Sequence, residues 1–308
     1  MKHNLAITIE LLIWTFMTGI LAVTITPLMS REVPPAIQGT SPIIWAGILI
    51  GAVIGSALLW FFMMKKFESA TVEWIWSILV ALVVSEVCSK IIRFYVSQTI
   101  TMIAITLAIY LSIALLYHHL IIKMQKDWKS VRRYYWVSNL LIVALAVFAG
   151  ANIGTMLGTT ISMIFLVLLA IYDAYMVWKA KKMQVLVTFL VKHRLFGSII
   201  VPKEKKEEFA ILGAGDLLVL SMMASAFSVS VAALGMLVML GMFSSIVVLF
   251  GISEKKRFYP AIPFMLIGFI CAMAIQYSTL AAIVVVFILL AALNVFFFLK
   301  SMDEKIKR

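Results

Sequence analysis

The sequence predicts an all-α polytopic membrane protein. Of its 308 residues, 64% are hydrophobic and only 13% are charged. The mean hydropathy of +1.09 lies far outside the range of water-soluble domains. Long apolar runs follow one another along the chain, and the longest polar connection, residues 179–209, is too short for a soluble domain. The chain is therefore expected to form one membrane domain.

Hydropathy divides this domain into ten spans, since a helix needs about 20 predominantly apolar residues to cross a hydrocarbon core of roughly 30 Å. The predicted spans are 5–28, 43–64, 72–95, 97–121, 136–157, 160–178, 210–228, 231–250, 260–279 and 281–299. As one helix, the uncharged stretch 260–299 would reach about 60 Å, about twice the bilayer, so a break near 276–279 separates the last two spans.

The basic residues follow this topology. The formal net charge is +12. With ten spans and a cytoplasmic N-terminus, 23 of the 26 Lys and Arg residues lie in cytoplasmic connections, as the positive-inside rule predicts. A nine-span arrangement with an external C-terminus places only 19 there. We therefore expect ten spans and no nucleic-acid partner.

The first span is too long for a signal-peptide core and contains Glu10, so we interpret it as part of the mature protein. Cys88 and Cys271 both lie within spans, where a free thiol is usually a small apolar filler. No CxxC motif or Cys/His cluster is present. The sequence predicts neither a metal nor another cofactor.

Two carboxylates stand out from the apolar helices. Asp173 in the sixth span and Asp216 in the seventh have no basic residue within one helical turn. A carboxylate at bilayer depth is costly, which makes it a candidate functional residue by default. Lys179 follows Asp173 by about 9 Å of helix, and Glu208 precedes Asp216 by about 12 Å, so both acids lie toward the cytoplasmic side. Adjacent antiparallel spans can bring them together.

A pair of carboxyls in a low dielectric cannot both ionise, so the two would share one proton. One carboxylate could then activate a water while the protonated partner polarises a scissile carbonyl, as in aspartic proteases. The alternative is a proton- or cation-coupled transporter or an ion leak channel, since intramembrane Asp pairs also serve as relays. No HExxH motif is present, and the histidines lie at span ends or in loops, which excludes the usual zinc and serine chemistries.

The residues around the two aspartates carry a family resemblance. Three segments resemble the YD, GxGD and PAL signatures of presenilin and signal peptide peptidase, the intramembrane aspartyl proteases of the GxGD type: Tyr172-Asp173, Gly213-Ala214-Gly215-Asp216 and Pro260-Ala261-Ile262-Pro263. Their order and their placement on spans six, seven and nine make the match specific. It implies a presenilin-like bundle of nine helices, here with a tenth C-terminal span, and catalytic roles for both aspartates.

Each motif also has a physical interpretation. Gly213 and Gly215 remove side-chain bulk before Asp216 and would let another backbone approach, although glycine also serves helix packing. Pro260 and Pro263 cannot donate backbone hydrogen bonds, which favours extended backbone with free acceptors for a substrate strand. The alternative for this segment is a proline-bounded helix start.

Two further predictions concern the substrate. Tyr172 does not share a helix face with Asp173, so it is expected to line the cavity or simply to pack. A transmembrane substrate keeps its carbonyls bonded internally and must unwind before cleavage. The β-branched run Ile199-Ile200-Val201 before Pro202 is the candidate edge that would pair with the unwound segment.

The resemblance implies single-span transmembrane or signal-peptide substrates, the lipid bilayer as the setting and, by likeness to archaeal homologues, a prokaryotic plasma membrane. The sequence departs from the family pattern in two places: Ile262 replaces the leucine of PAL, and a tenth span is predicted. The loop 179–209 is also shorter than that of presenilin. Neither self-cleavage nor obligate partner subunits are therefore expected.

Overall fold

The computed structural model describes residues 5–29, 99–126, 128–180, 198–202, 209–252 and 259–277, and six isolated helical positions between 44 and 78. The elements in chain order are α1 (Leu5–Met29), α2 (Thr99–Lys126), α3 (Trp128–Ala174), a π-helical turn (Tyr175–Lys179), β1 (Ser198–Pro202), β2 (Phe209–Gly213), α4 (Ala214–Ser228), α5 (Ala232–Ile252) and α6 (Ala261–Tyr277). The predicted spans 43–64, 72–95 and 281–299 lie outside the continuously described residues, and the count of ten stays a prediction.

Within the described part of the chain, four stretches are long and apolar enough to cross a membrane: Ala6–Pro27, Leu107–Met124, Lys129–Lys179 and Ala232–Ile252. Together with the shorter apolar helices α4 and α6, they form an integral membrane protein. The β1–β2 hairpin is the one sheet that these residues contain.

Helix α3 is two helical arms joined at Gly158, whose backbone (φ 67°, ψ −177°) only glycine adopts readily. The first arm runs parallel to α4, since Ser221 donates to the carbonyl of Val147 and Gly154 faces Met222. Asp173, at the far end of the second arm, lies within electrostatic range of Asp216 near the start of α4. The chain therefore reverses at Gly158, and both arms pack on α4.

Helix α4 is the centre of the bundle. Its residues are buried almost continuously from Leu217 to Phe227, which is the pattern of a helix surrounded by other helices. A methionine-rich core, including Met222, Met239 and Met265, joins α4 to α5 and α6. Methionine suits such a core because its flexible thioether fills irregular gaps between helices.

The largest difference from the sequence-based prediction concerns the start of α4. The sequence predicts that the seventh span begins at residue 210, but Phe209–Gly213 forms β2 and pairs antiparallel with β1, so the helix begins at Ala214. The apolar FAILG run resembles the beginning of an apolar helix, and only its partner strand makes it extended. At about 1.5 Å per residue, the 15 residues of α4 reach about 22 Å, short of a roughly 30 Å hydrocarbon core.

Candidate active site

The start of α4 places the first carboxylate. Gly213 is the N-cap and Asp216 is the third helical residue. The Asp216 carboxyl accepts the backbone N–H of Gly213, which is one half of a capping box. Because the first turn of a helix leaves backbone N–H groups without partners, the motif satisfies one of them with its own carboxylate. Asp216 itself is partly buried.

The start of α6 holds the second carboxylate. Ile262 donates its backbone N–H to Oδ2 of Asp173 at 3.2 Å, and the N–H of Ala261 also bonds to this carboxyl. Pro263, the next residue, has no N–H to satisfy. Asp173 is 9% exposed, so these bonds lie in the protein interior. The helix N-terminus also favours a negative charge there through its dipole.

The two carboxyls therefore belong to one site. They come from different helices, and the charge of Asp173 acts on the carboxyl of Asp216. Each is fixed by backbone N–H groups at the start of a helix, so neither depends on a flexible side chain for its orientation. Such a pair can hold one proton between its members. The ionised carboxyl can then activate a water molecule while the protonated one polarises a carbonyl group.

The PAIP segment differs from the extended backbone expected of it. Residues from Ala261 onward are helical, and Pro260 immediately precedes the helix, so the proline-bounded helix start is correct. The carbonyls of this segment enter the helix, and two of its N–H groups serve Asp173. The segment positions a carboxylate instead of offering free acceptors to a strand.

The two glycines of the GAGD motif lie in different surroundings. A Cβ atom on Gly213 would lie 3.0 Å from Oδ2 of Asp216, whereas one on Gly215 would meet nothing within 4 Å among the described residues. The backbone of β1 does approach Gly213, which pairs with Ser198 across the hairpin. Gly213 leaves room for the carboxyl of Asp216, and Gly215 leaves open space beside it. Ala214 packs on the cluster that supports the hairpin.

The remaining predicted residues lie around this centre. Tyr172 is partly buried, next to Asp173 at the end of α3. The β-branched run forms β1, in which Ile199 and Val201 pack against α1 and the first arm of α3. Ile200 faces the opposite side of the hairpin, toward Met124. β1 is thus a buried strand beside the site, and β2 is the strand that leads into it.

One polar residue that binds the hairpin is absent from the residues that the sequence predicts for the site. Asn139 is fully buried in the first arm of α3, and its amide binds both backbone groups of Ile200. Its signal in the sequence is an amide in the predominantly apolar run WVSNLLIVALA. Among the residues that the structure describes, no group of three or more His, Cys, Asp or Glu side chains could hold a metal ion.

Comparison with solved structures identifies proteins of the same fold. The chain has the fold of the presenilin-family intramembrane aspartate proteases. Two solved structures of such a protease, in space groups C222 and P2, match it with TM-scores of 0.59 and 0.58. Their sequences are 18% and 17% identical to this one. The matches cover 87% and 86% of this chain and 95% and 97% of the two solved chains. No protein-family model matches the sequence, and no curated protein does.

Proposed function

We propose that this protein is an intramembrane aspartyl protease of the GxGD type, with Asp173 and Asp216 as its catalytic residues. The proposal rests on two carboxyls from separate helices that lie within electrostatic range of each other, each bonded to backbone N–H groups at a helix start. The fold of presenilin-family proteases supports the same reading. No cofactor is needed for this chemistry.

In the proposed reaction, the ionised carboxylate takes a proton from a water, and the water oxygen attacks the scissile carbonyl carbon. The protonated carboxyl donates to the carbonyl oxygen and stabilises the tetrahedral intermediate. The carbon–nitrogen bond then breaks, and a carboxyl supplies the proton that the departing amine needs.

The hairpin suggests how an unwound substrate is held. Both backbone groups of Ile200 are taken by Asn139, so they point away from β2. Ile200 pairs with Ile211, and in an antiparallel ladder the partners of such a non-hydrogen-bonded pair turn their N–H and C=O groups to opposite outer edges. The backbone groups of Ile211 therefore face the outer edge of β2.

The orientation of these backbone groups favours β2 instead of β1 as the strand that binds the substrate. The sequence favours β1, but its outer edge is occupied at Ile200 by Asn139. The edge of β2 continues through Gly213 directly into the helix that carries Asp216. We propose that the unwound segment of a single-span substrate adds to β2 as a further strand, which is a common mode of peptide recognition.

Catalysis is tested by cleavage of a single-span reporter with the purified protein in detergent. Asp173→Asn and Asp216→Asn keep the size of each side chain and should each abolish the product, as should a transition-state analogue of aspartyl proteolysis. Glu10→Gln neutralises another acid of the apolar helices and should retain cleavage. Product that survives either Asp variant would refute the dyad, and ion flux in liposomes would then be measured.

Substitutions of Ile211 test whether the outer edge of β2 binds the substrate. Ile211→Pro removes an N–H that faces outward while leaving the ladder bonds to β1 in place, so the hairpin should persist. Cleavage should fall by about tenfold or more, the equivalent of one lost hydrogen bond to the substrate. Ile211→Val keeps the N–H and should cleave normally. Unchanged cleavage by the proline variant would exclude the β2 edge.

A further inference from the structure

The contact between Asn139 and β1 is made by two hydrogen bonds. The side-chain amide nitrogen donates to the carbonyl of Ile200 at 2.8 Å, and the N–H of Ile200 donates to Oδ1 at 3.0 Å. The amide thus pairs with Ile200 as a residue of a third strand would. Asn139 has no exposed surface, and Ile142 and Val143 on the same arm belong to the apolar cluster against the hairpin.

This pairing crosses 61 residues of sequence and joins two elements with different roles. The first arm of α3 is a rigid helix, whereas the hairpin consists of two five-residue strands. A two-stranded hairpin is marginally stable on its own, so its position depends on what it is attached to. The directional contact with Asn139 fixes the register of β1 along the helix, which apolar packing alone does not.

The same arm also fixes α4. Ser221 donates to the carbonyl of Val147 at 3.0 Å, two helical turns beyond Asn139. The helix that carries Asp216 and the hairpin that precedes it are therefore attached to one arm through separate contacts. Loss of the Asn139 contact would release the hairpin while leaving the attachment of α4 in place.

We propose that Asn139 is a positioning residue that sets where the substrate is cut. By occupying the outer edge of β1 and fixing the hairpin against the first arm of α3, it holds the β2 edge at a constant distance from Asp216. This inference rests on the proposed proteolytic function and adds a determinant of the cleavage position. Asn139 would act through the hairpin that it binds and not on the reacting atoms.

The test compares three variants in the reporter assay. Asn139→Leu has a similar size and removes both hydrogen bonds, whereas Asn139→Asp keeps an acceptor for the Ile200 N–H. Ser221→Ala removes a buried side-chain-to-backbone bond from α4 and serves as the matched control. The measurements are the cleavage positions by mass spectrometry, KM and kcat, and the binding of a transition-state analogue.

Asn139→Leu should spread cleavage over neighbouring bonds and raise KM by about tenfold, the effect of a displaced binding edge. Inhibitor binding should stay within about twofold, because the dyad is held by other groups. Asn139→Asp should change the cleavage positions and KM in the same direction but less. If the leucine variant does not fold, the aspartate variant decides whether the inference holds. Ser221→Ala should keep the wild-type cleavage positions.

Wild-type cleavage positions and KM in both Asn139 variants would overturn the inference. The same spread of products in Ser221→Ala would also overturn it, because general loosening would then be sufficient. If the aspartate variants abolish cleavage while the Asn139 variants change nothing, only the positioning role fails. If the wild-type protein does not cleave the reporter, both proposals fail.

Discussion

Replacement of Gly213 by alanine perturbs one atom of the candidate site and little else. The glycine has φ −62° and ψ 138°, which alanine adopts without strain. The added Cβ would lie 3.0 Å from Oδ2 and 3.6 Å from Cγ of Asp216. The first distance is about 0.5 Å shorter than the ordinary separation of non-bonded heavy atoms. The carboxyl of Asp216 must therefore move away from the N–H that holds it.

The size of the effect follows from that hydrogen bond. A hydrogen bond to a charged group contributes about 1.5–3 kcal/mol, which corresponds to roughly ten- to hundredfold in rate if the bond is needed in the transition state. Global stability should change little. Alanine is a poorer N-cap than glycine, but it also reduces the entropy of the unfolded chain, and each effect is about 0.5–1 kcal/mol.

The assay is kcat and KM for a single-span reporter, with thermal unfolding in detergent as the measure of stability. Gly215→Ala is the matched control, because it adds the same methyl group beside Asp216 with nothing described within 4 Å. Its methyl leaves the carboxyl in place and narrows only the open space before the site. We expect Gly213→Ala to lower kcat and Gly215→Ala to act on KM.

The result that would refute this reasoning is a Gly213→Ala enzyme with wild-type kcat, since the methyl would then displace nothing that catalysis needs. Equal losses of kcat in both variants would also contradict it. The difference between the two glycines, and not the sensitivity of the motif as a whole, is what the geometry predicts.

Two other predictions concern helix starts and helix packing. Ile262→Pro removes the N–H that donates to Asp173 and should lower kcat by about tenfold or more. Ile262→Val keeps this donor and should retain the wild-type kcat. Equal kcat values in the two variants would show that catalysis does not need this hydrogen bond. Gly268→Ala places a Cβ against the carbonyl of Gly241 and should destabilise the α5–α6 contact by about 1–3 kcal/mol, measured as a lower Tm. Gly251→Ala, whose added Cβ would meet nothing within 4 Å among the described residues, should not lower Tm, and an equal loss there would refute the packing argument.

Several helices and one strand of the fold can be predicted from local patterns in the sequence. Apolar runs predict helices because a membrane leaves no other way to satisfy the backbone of a single segment, and the described α1, α2 and α5 fall on such runs. The β-branched run of β1 is likewise typical of a strand. The sequence predicts a helix over the β2 segment because FAILG is short and apolar on both sides, and such a run does not distinguish a strand from a helix start.

By itself, the sequence determined that the chain lies in a membrane and that Asp173 and Asp216 are isolated charges there, because composition and hydropathy are local properties. Only the tertiary structure decided which groups hold these carboxyls and which side chain binds the backbone of β1. Ile262 bonds to Asp173 across 89 residues, and Asn139 binds Ile200 across 61. Hydrogen bonds between such distant residues depend on how the helices pack and leave no periodic pattern in the sequence.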